Sequence, residues 1–504
     1  MGNTTGAAHA IARSGDGIAV VPSLAVVGGR ALPVEVEVQI SGGVPGLDLS
    51  CLGPCSGDVA RRVAHALRSG GYELPRSKVS VNIQPRSLAR QAAGLDLAIL
   101  VGVLAATGQV PSDLVPGHIY SGELGIAGSV EPMAGEVPAV LLARDLGLVL
   151  VGGGGEGPLP IESDRVRELV DVGNLRHGTR ALRPRRPVPA AALREPPDFA
   201  DVPGCDEAKR ALAIAVAGGH GILIGNAHRP SYLASTLAMR VSGIMPRLEG
   251  RALEEALAIH SAAGDDLSPL AHGVPPLRAV EAGTSLPRLL GGGRPVRPGE
   301  VSLAHGGALV LDGLEKFNLT AVHMVGRAAR EGLVDIRRMG DVFTIPASFL
   351  TVATASAPDP SWTPGMYRHY IDSVTDLAWE LGTPMVVNVV PGPRADTTYS
   401  TAELSSMVER AREFAAWRRG RGIDDGPRSV ARTIADMDWS EGIEPEHERE
   451  AALYERSLAH PHGSPRGDDG ALGSSLEAAR AAAEALDQAF RDPRAARSDA
   501  IGRE

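Results

Sequence analysis

The segment Gly225-Asn-Ala-His-Arg-Pro-Ser-Tyr232 follows a short apolar run, Ile222-Leu-Ile224, and precedes a helix-like run that opens at Leu233. Strand, loop and helix in that order can cradle phosphate, because loop N–H groups and the helix N-terminus converge on its oxygens. The loop that does this with ATP reads G-x-x-x-x-G-K-[ST], with the lysine on the β/γ-phosphates and the hydroxyl on Mg²⁺. Counted from Gly225, the second glycine position holds Pro230, the lysine position Ser231 and the hydroxyl position Tyr232. Proline offers no N–H and fixes φ, whereas glycine allows positive φ and close approach. His228 and Arg229 add bulk, and no lysine lies between Lys209 and Lys316 to restore the motif by a shift. Each charge-assisted bond to phosphate is worth about 1.5–3 kcal/mol, so losing two or three weakens ATP binding by roughly 10²-fold or more.

A second candidate is Asp312, which ends the apolar run Gly307-Ala-Leu-Val-Leu-Asp312. An acid at such a strand end can hold the Mg²⁺ of a bound nucleotide. Gly225 and Asp312 are therefore the nucleotide-binding candidates, as remnants of a site for ATP and Mg²⁺. No residue is assigned a catalytic or a metal-ligating role. Cys51 and Cys55 stand at C-x₃-C with no second pair at ligand spacing, and with Cys205 they read as reduced structural residues.

These residues need elements to position them. Residues 18–182 read as one α/β unit. Val34–Ile40 and Val79–Ile83 alternate apolar and polar residues like half-buried strands. Val59–Leu67 has helical spacing, Leu95–Ala106 is an almost wholly apolar helix, and Leu141–Leu150 reads as helix then strand. Residues 183–200 read as a Pro/Arg-rich linker whose prolines block helix and sheet ladders, leaving Arg183, Arg185 and Arg186 in solvent. A second α/β unit spans 201–395, with a helix over Asp206–Ala217 and further strands at Phe349–Ala353 and Met385–Val390. Strands alternating with helices predict a mostly parallel sheet, with ligands at its carboxyl edge. Residues 400–460 read as helical, with helices over Ala402–Arg419 and Glu446–Ala459. Arg410, Arg412, Arg418, Arg419 and Arg421 form a basic face there, read as solvated and balanced by Glu403, Glu409 and Glu413. Residues 463–504 read as a tail rich in Ala and Gly with one helix, Leu476–Phe490.

A net charge of −10 argues against broad nucleic-acid binding but leaves room for a local basic channel. Aromatic residues make up only 3%, so the cores must be aliphatic. No run approaches the ~20 apolar residues of a membrane span. Residues 1–16 lack the apolar centre of a leader, so a cytoplasmic protein is expected.

Several blocks resemble the ComM/YifB group of magnesium-chelatase-like AAA+ proteins. They include Arg62-Val-Ala-His-Ala-Leu-Arg-Ser-Gly-Gly-Tyr-Glu-Leu-Pro75, Gly122-Glu-Leu-Gly-Ile-Ala-Gly-Ser-Val130, Pro197-Asp-Phe-Ala-Asp-Val-Pro-Gly204, Arg297-Pro-Gly-Glu-Val-Ser-Leu-Ala-His305 and Val430-Ala-Arg-Thr-Ile-Ala-Asp-Met437. The resemblance covers roughly residues 25–460. It implies an α/β fold: an N-terminal ribosomal S5 domain 2-like, Lon-protease-like domain, then a P-loop AAA+ core with a shortened helical lid. It also implies ATP, Mg²⁺ and a homo-oligomeric ring. The ComM branch is linked to branch migration of DNA.

The resemblance also exposes losses. The glutamate expected after Asp312 is Gly313, and Glu315 would point elsewhere if the strand continued. The sensor asparagine reads as Ser356, and the stretch expected to bear an arginine finger, Tyr370–Trp379, has none. Arg428 and Arg432 are the candidates for a sensor-2 arginine. A Lon-like protease needs a Ser/Lys pair, but Ala93-Gly-Leu-Asp-Leu97 holds no serine and Lys78 belongs to a strand edge. The expected function is a pseudo-ATPase scaffold or regulatory protein acting through a protein partner or DNA. The alternatives are an active branch-migration motor with a non-standard site, and a motorless DNA-binding module.

Overall fold

The computed structural model describes residues 17–454, apart from 90–93, 156, 162, 194–195, 227–231, 339–340, 358, 360, 390–397 and 424–428. The tail helix expected at Leu476–Phe490 and the segment 463–473 lie outside these residues, as do Ala93, Arg428 and the loop from Ala227 to Ser231. No helix among the described residues is long and apolar enough to cross a membrane.

The first unit is built on an eight-stranded mixed sheet. Its strands are β1 (Ile18–Val27), β2 (Arg30–Ser41), β3 (Gly46–Asp48), β4 (Lys78–Gln84), β5 (His118–Tyr120), β6 (Val149–Gly152), β7 (Val166–Glu168) and β8 (Arg183–Pro184). They lie in the order β8-β7-β6-β5-β1-β2-β4-β3. The β1–β2 hairpin turns on Gly28 and Gly29, with φ of 57° and 98°, since its tight turn needs positive φ at both centres. The turn tip docks on the second unit, where Gly28 N–H donates to Val296 O at 2.9 Å. Helices α1 (Ser56–Ser69), α2 (Asp96–Ala106) and α3 (Glu136–Leu146) flank the sheet. The apolar α2 is buried all round, and the Asp96 carboxylate at its start is held by Arg62 Nε at 2.5 Å.

The linker reading fails at its first residues. Arg183 and Pro184 pair antiparallel with Glu168 and Arg167 as an edge strand, a position proline tolerates because its missing N–H faces outward. Arg185 is not in solvent. Its guanidinium is buried against Glu136 at 2.6 Å and donates to Gly157 O at 3.0 Å.

The second unit is a five-stranded, wholly parallel sheet of β9 (Ile222–Asn226), β10 (Leu277–Glu281), β11 (Ala308–Asp312), β12 (Leu350–Ala355) and β13 (Met385–Val389). Its order is β10-β11-β12-β9-β13. Before and between the strands run α4 (Asp206–Gly218), the short α5 (Leu233–Ala238), α6 (Gly250–Ala263), α7 (Leu319–Glu331) and α8 (Pro364–Leu381). The two units share a core where Val137 of α3 meets Ala256 and Leu257 of α6, tied by Val137 N–H donating to Ser261 Oγ at 3.1 Å.

The helical unit follows as α9 (Thr401–Gly420), α10 (Val430–Met437) and α11 (Pro445–Tyr454). Ser400 and Glu403 form a capping box that starts α9. The solvated-face reading needs one correction. Arg418 is buried, its Nε 3.0 Å from Asp436, and Arg432 pairs with the same carboxylate at 3.2 Å.

Two histidines give the fold a pH dependence. Burial pushes the imidazole of His305 below its usual range despite Glu255 beside it, and burial does the same to His118. Both therefore hold a proton less readily in the folded protein than in the unfolded chain, which protonates them below about pH 6.5. Their contribution is present above that pH and is lost as pH falls through the lowered folded values. The urea midpoint should therefore drop between pH 7.5 and pH 5.5, and by less in His118→Leu. An equal drop in both proteins would contradict this assignment.

Candidate functional site

The carboxyl edge of the parallel sheet gathers the candidate residues. Strand β12 lies between the strands of Gly225 and Asp312, with Ala355 in register with Gly225 and Ala353 with Leu311. Asn226, one residue beyond Gly225, stitches this edge together. Its Nδ2 donates to Ala355 O at 3.2 Å, and its Oδ1 accepts from Ala234 N–H of α5 at 3.2 Å.

Asp312 is exposed, but one of its oxygens is fully engaged. Oδ1 accepts from Ser235 Oγ of α5 and from Thr354 Oγ1 of β12, both at 2.6 Å. Gly313 N–H donates to Thr354 Oγ1 at 2.9 Å, so Thr354 braces both sides of the strand end. Ser235 stands on the first turns of α5, where the hydroxyl of a phosphate loop would be sought, whereas the Tyr232 side chain is 79% exposed.

The strand does not continue past Asp312. Gly313 takes φ 76°, in the left-handed region, and starts a tight turn over Leu314–Lys316. That turn corrects the expectation for Glu315. It swings back toward the sheet edge, where its Oε2 accepts from Ser356 N–H at 3.4 Å. Its Oε1 is buried and has no hydrogen-bond partner among the described residues. Lys316 Nζ lies 3.2 Å from where a Cβ at position 313 would stand, so an ammonium covers the origin of any side chain there.

The remaining sequence candidates fall elsewhere. Ser356 O accepts from Tyr370 Oη at 2.6 Å, which ties the sensor position to α8. That helix begins at Pro364 and also carries the exposed Arg368, ahead of the stretch without arginine. Arg432 donates to Glu441 O at 3.0 Å as well as pairing with Asp436, which leaves it structural rather than a nucleotide sensor. In the first unit, Lys78 Nζ is paired with Asp48 at 3.0 Å.

The donor set can be tested against a nucleotide. A hydroxyl beside a carboxylate suits hydrated Mg²⁺, so Ser235 and Asp312 fit that ion. Nothing at position 313 can orient an attacking water, because glycine has no side chain. Sequence reasoning missed Ser235, Thr354 and Lys316. The one available signal was the hydroxyl of Ser235 within the first turn after the loop.

Residues 198–369 match the family described as magnesium chelatase, subunit ChlI, and residues 36–151 match that described as subunit ChlI of Mg-chelatase. The chain is 29% identical over 510 residues to the uncharacterized protein YifB of Escherichia coli, covering 88% of this chain and 98% of that one. It is 30% identical over 436 residues to competence protein ComM of Haemophilus influenzae, covering 80% and 84%. An uncharacterized protein of Mycobacterium tuberculosis is 31% identical over 345 residues, covering 66% and 68%. The matched segments fall on the two α/β units, and the parallel sheet fits an AAA+ core. On this kinship the chain belongs to the ComM/YifB-type magnesium-chelatase-like family.

Proposed function

We propose that this chain is a pseudo-ATPase: an AAA+ protein that has lost ATP hydrolysis and acts as a scaffold or regulatory binding protein. The observation that carries this reading is Gly313. It follows the metal acid in a left-handed turn, bears no side chain, and has the Lys316 ammonium over it. A glutamate is needed there to polarise water. The substitutions at Pro230, Ser231 and Tyr232 point the same way, since they remove phosphate contacts from the loop. The same proposal includes an S5 domain 2-like first unit, a shortened lid, a cytoplasmic location and assembly through an unidentified protein partner or as a ring. Any ATP and Mg²⁺ would be held through Gly225, Ser235 and Asp312 without turnover.

The test is steady-state ATP hydrolysis by the full chain with Mg²⁺, beside Asp312→Asn. The expected rates are indistinguishable from each other and from buffer. Turnover that disappears in Asp312→Asn would overturn the proposal.

A motorless DNA-binding module is the second reading. It is favoured by the exposed Arg410, Arg412 and Arg419 on α9 and by the name of the Haemophilus relative, a competence protein. DNA affinity that falls with salt and ignores nucleotide would support it. The absence of binding at low salt would remove it.

A further inference from the structure

Aromatic side chains are scarce here, with seven Tyr, six Phe and four Trp in 504 residues. Even so, Trp379, Trp439 and Trp417 are 75%, 57% and 39% exposed. Two of them meet on the helical unit. Phe414 of α9 is buried and stacks on Trp417, with centroids 5.1 Å apart, and on Trp439, at 5.6 Å. The other partner of Trp417 is the Arg421 guanidinium, 4.4 Å from its ring centroid. Trp439 has no such cation among the described residues.

Trp439 is also held unusually. Its φ is 57°, a left-handed conformation that bulky L-residues rarely adopt. It sits in the turn between α10 and α11. Residues 438–448, from that turn into the first residues of α11, hold Asp438, Glu441, Glu444, Glu446 and Glu448 and no lysine or arginine, with Arg449 following. All five carboxylates are exposed.

We propose that the Trp439 surface docks a basic, arginine-bearing segment of a protein partner. An indole face attracts a guanidinium through its quadrupole, as the Trp417–Arg421 contact within this chain already does. The neighbouring carboxylates supply the complementary charge and repel a phosphate backbone, which disfavours nucleic acid as the occupant. Tryptophan is also among the residues most enriched at binding hot spots, and this one is exposed while stacked on a buried aromatic. This surface shares no residue with the Asp312 edge, and it goes beyond the loss of hydrolysis: either claim can fail alone.

The experiment uses the full chain and a labelled octapeptide alternating arginine and leucine, with a glutamate-for-arginine peptide as control. Fluorescence anisotropy should show salt-sensitive binding of the arginine peptide and none of the control. Trp439→Gly should weaken binding about tenfold. Glycine tolerates the left-handed backbone, so this variant should fold, which its urea midpoint checks. The double change Glu441→Gln, Glu444→Gln leaves the aromatic packing alone and should weaken binding and flatten its salt dependence. Trp379→Ala should leave binding unchanged. No binding of the arginine peptide, or unaltered binding by Trp439→Gly, would overturn the proposal. So would a loss confined to single-stranded oligonucleotide binding in that variant, or a change in self-association by sedimentation without loss of peptide binding.

Discussion

Gly307→Ala is expected to cost about 3 kcal/mol or more in folding stability, the upper end for overpacking a core. Gly307 leads into β11, the strand that ends in Asp312. A Cβ there would lie 1.8 Å from Pro276 O and 2.7 Å from its carbonyl carbon. Neither chain can step aside. Ala308 N–H donates to Pro276 O at 2.9 Å, and Leu350 N–H donates to Gly307 O at 2.8 Å, so the glycine is clamped between β10 and β12. Relief requires parting β10 from β11, which breaks the ladder between them. Equilibrium urea unfolding measures the loss. Gly57→Ala is the control, because a Cβ there meets nothing within 4 Å and α1 favours alanine. A Gly307→Ala midpoint equal to the control's would mean the sheet has slack that its hydrogen bonds deny.

The second large effect lies in the helical unit. Asp436→Ala is expected to destabilise the protein by about 3–5 kcal/mol, because it strands buried charge. Asp436 is the shared anion of Arg418 and Arg432, and all three side chains are buried, at 7–8% exposure. The arginines also fasten the backbone. Arg418 Nη1 donates to Ile423 O at 2.9 Å, and Arg432 Nη1 to Glu441 O at 3.0 Å. Removing the carboxylate leaves two guanidinium charges out of water. Replacing all three by well-packed Met, Met and Leu should recover much of the loss, since buried ion groups often exchange for apolar ones at little net cost. Thermal melts of the two proteins decide it: the prediction is falsified if Asp436→Ala melts with the parent.

Elements with a clear period were legible in the sequence. The alternation Val34–Ile40 falls within β2, the apolar Leu95–Ala106 coincides with α2, and the run ending at Asp312 is β11. Short or mixed strands were not. His118–Tyr120 and Leu277–Glu281 carry too few alternating residues to announce themselves, yet both pair in sheets. The antiparallel pair of Leu333–Arg338 with Asp341–Pro346 was missed for the same reason. Buried charge was the harder failure. Arg185 and Arg418 read as solvent-facing because their partners lie 49 and 18 residues away, and Arg432, four residues from Asp436, read as functional because its burial depends on packing. At the site, Gly225 and Asp312 were expected at strand ends, and they stand at the carboxyl ends of β9 and β11. Ser235, Thr354 and Lys316 depend on which elements meet at the sheet edge, and no local pattern encodes that.

On the pseudo-ATPase proposal, the turn at Gly313 acts as a ratchet on the site. Returning a glutamate to position 313 by one substitution would put an L-residue at φ 76°, a strain of about 1–2 kcal/mol. The exposed, flexible Lys316 side chain can give way and its ammonium would attract the carboxylate, so the cost lies in the backbone, which would compete with the turn that carries Glu315 to Ser356. Even then the loop from Gly225 to Tyr232 would still lack its lysine. On that proposal, no single change restores turnover until the others are made. Under the proposed reading, the chain is left free to change at its nucleotide edge while folding alone holds the sheet beneath it in place.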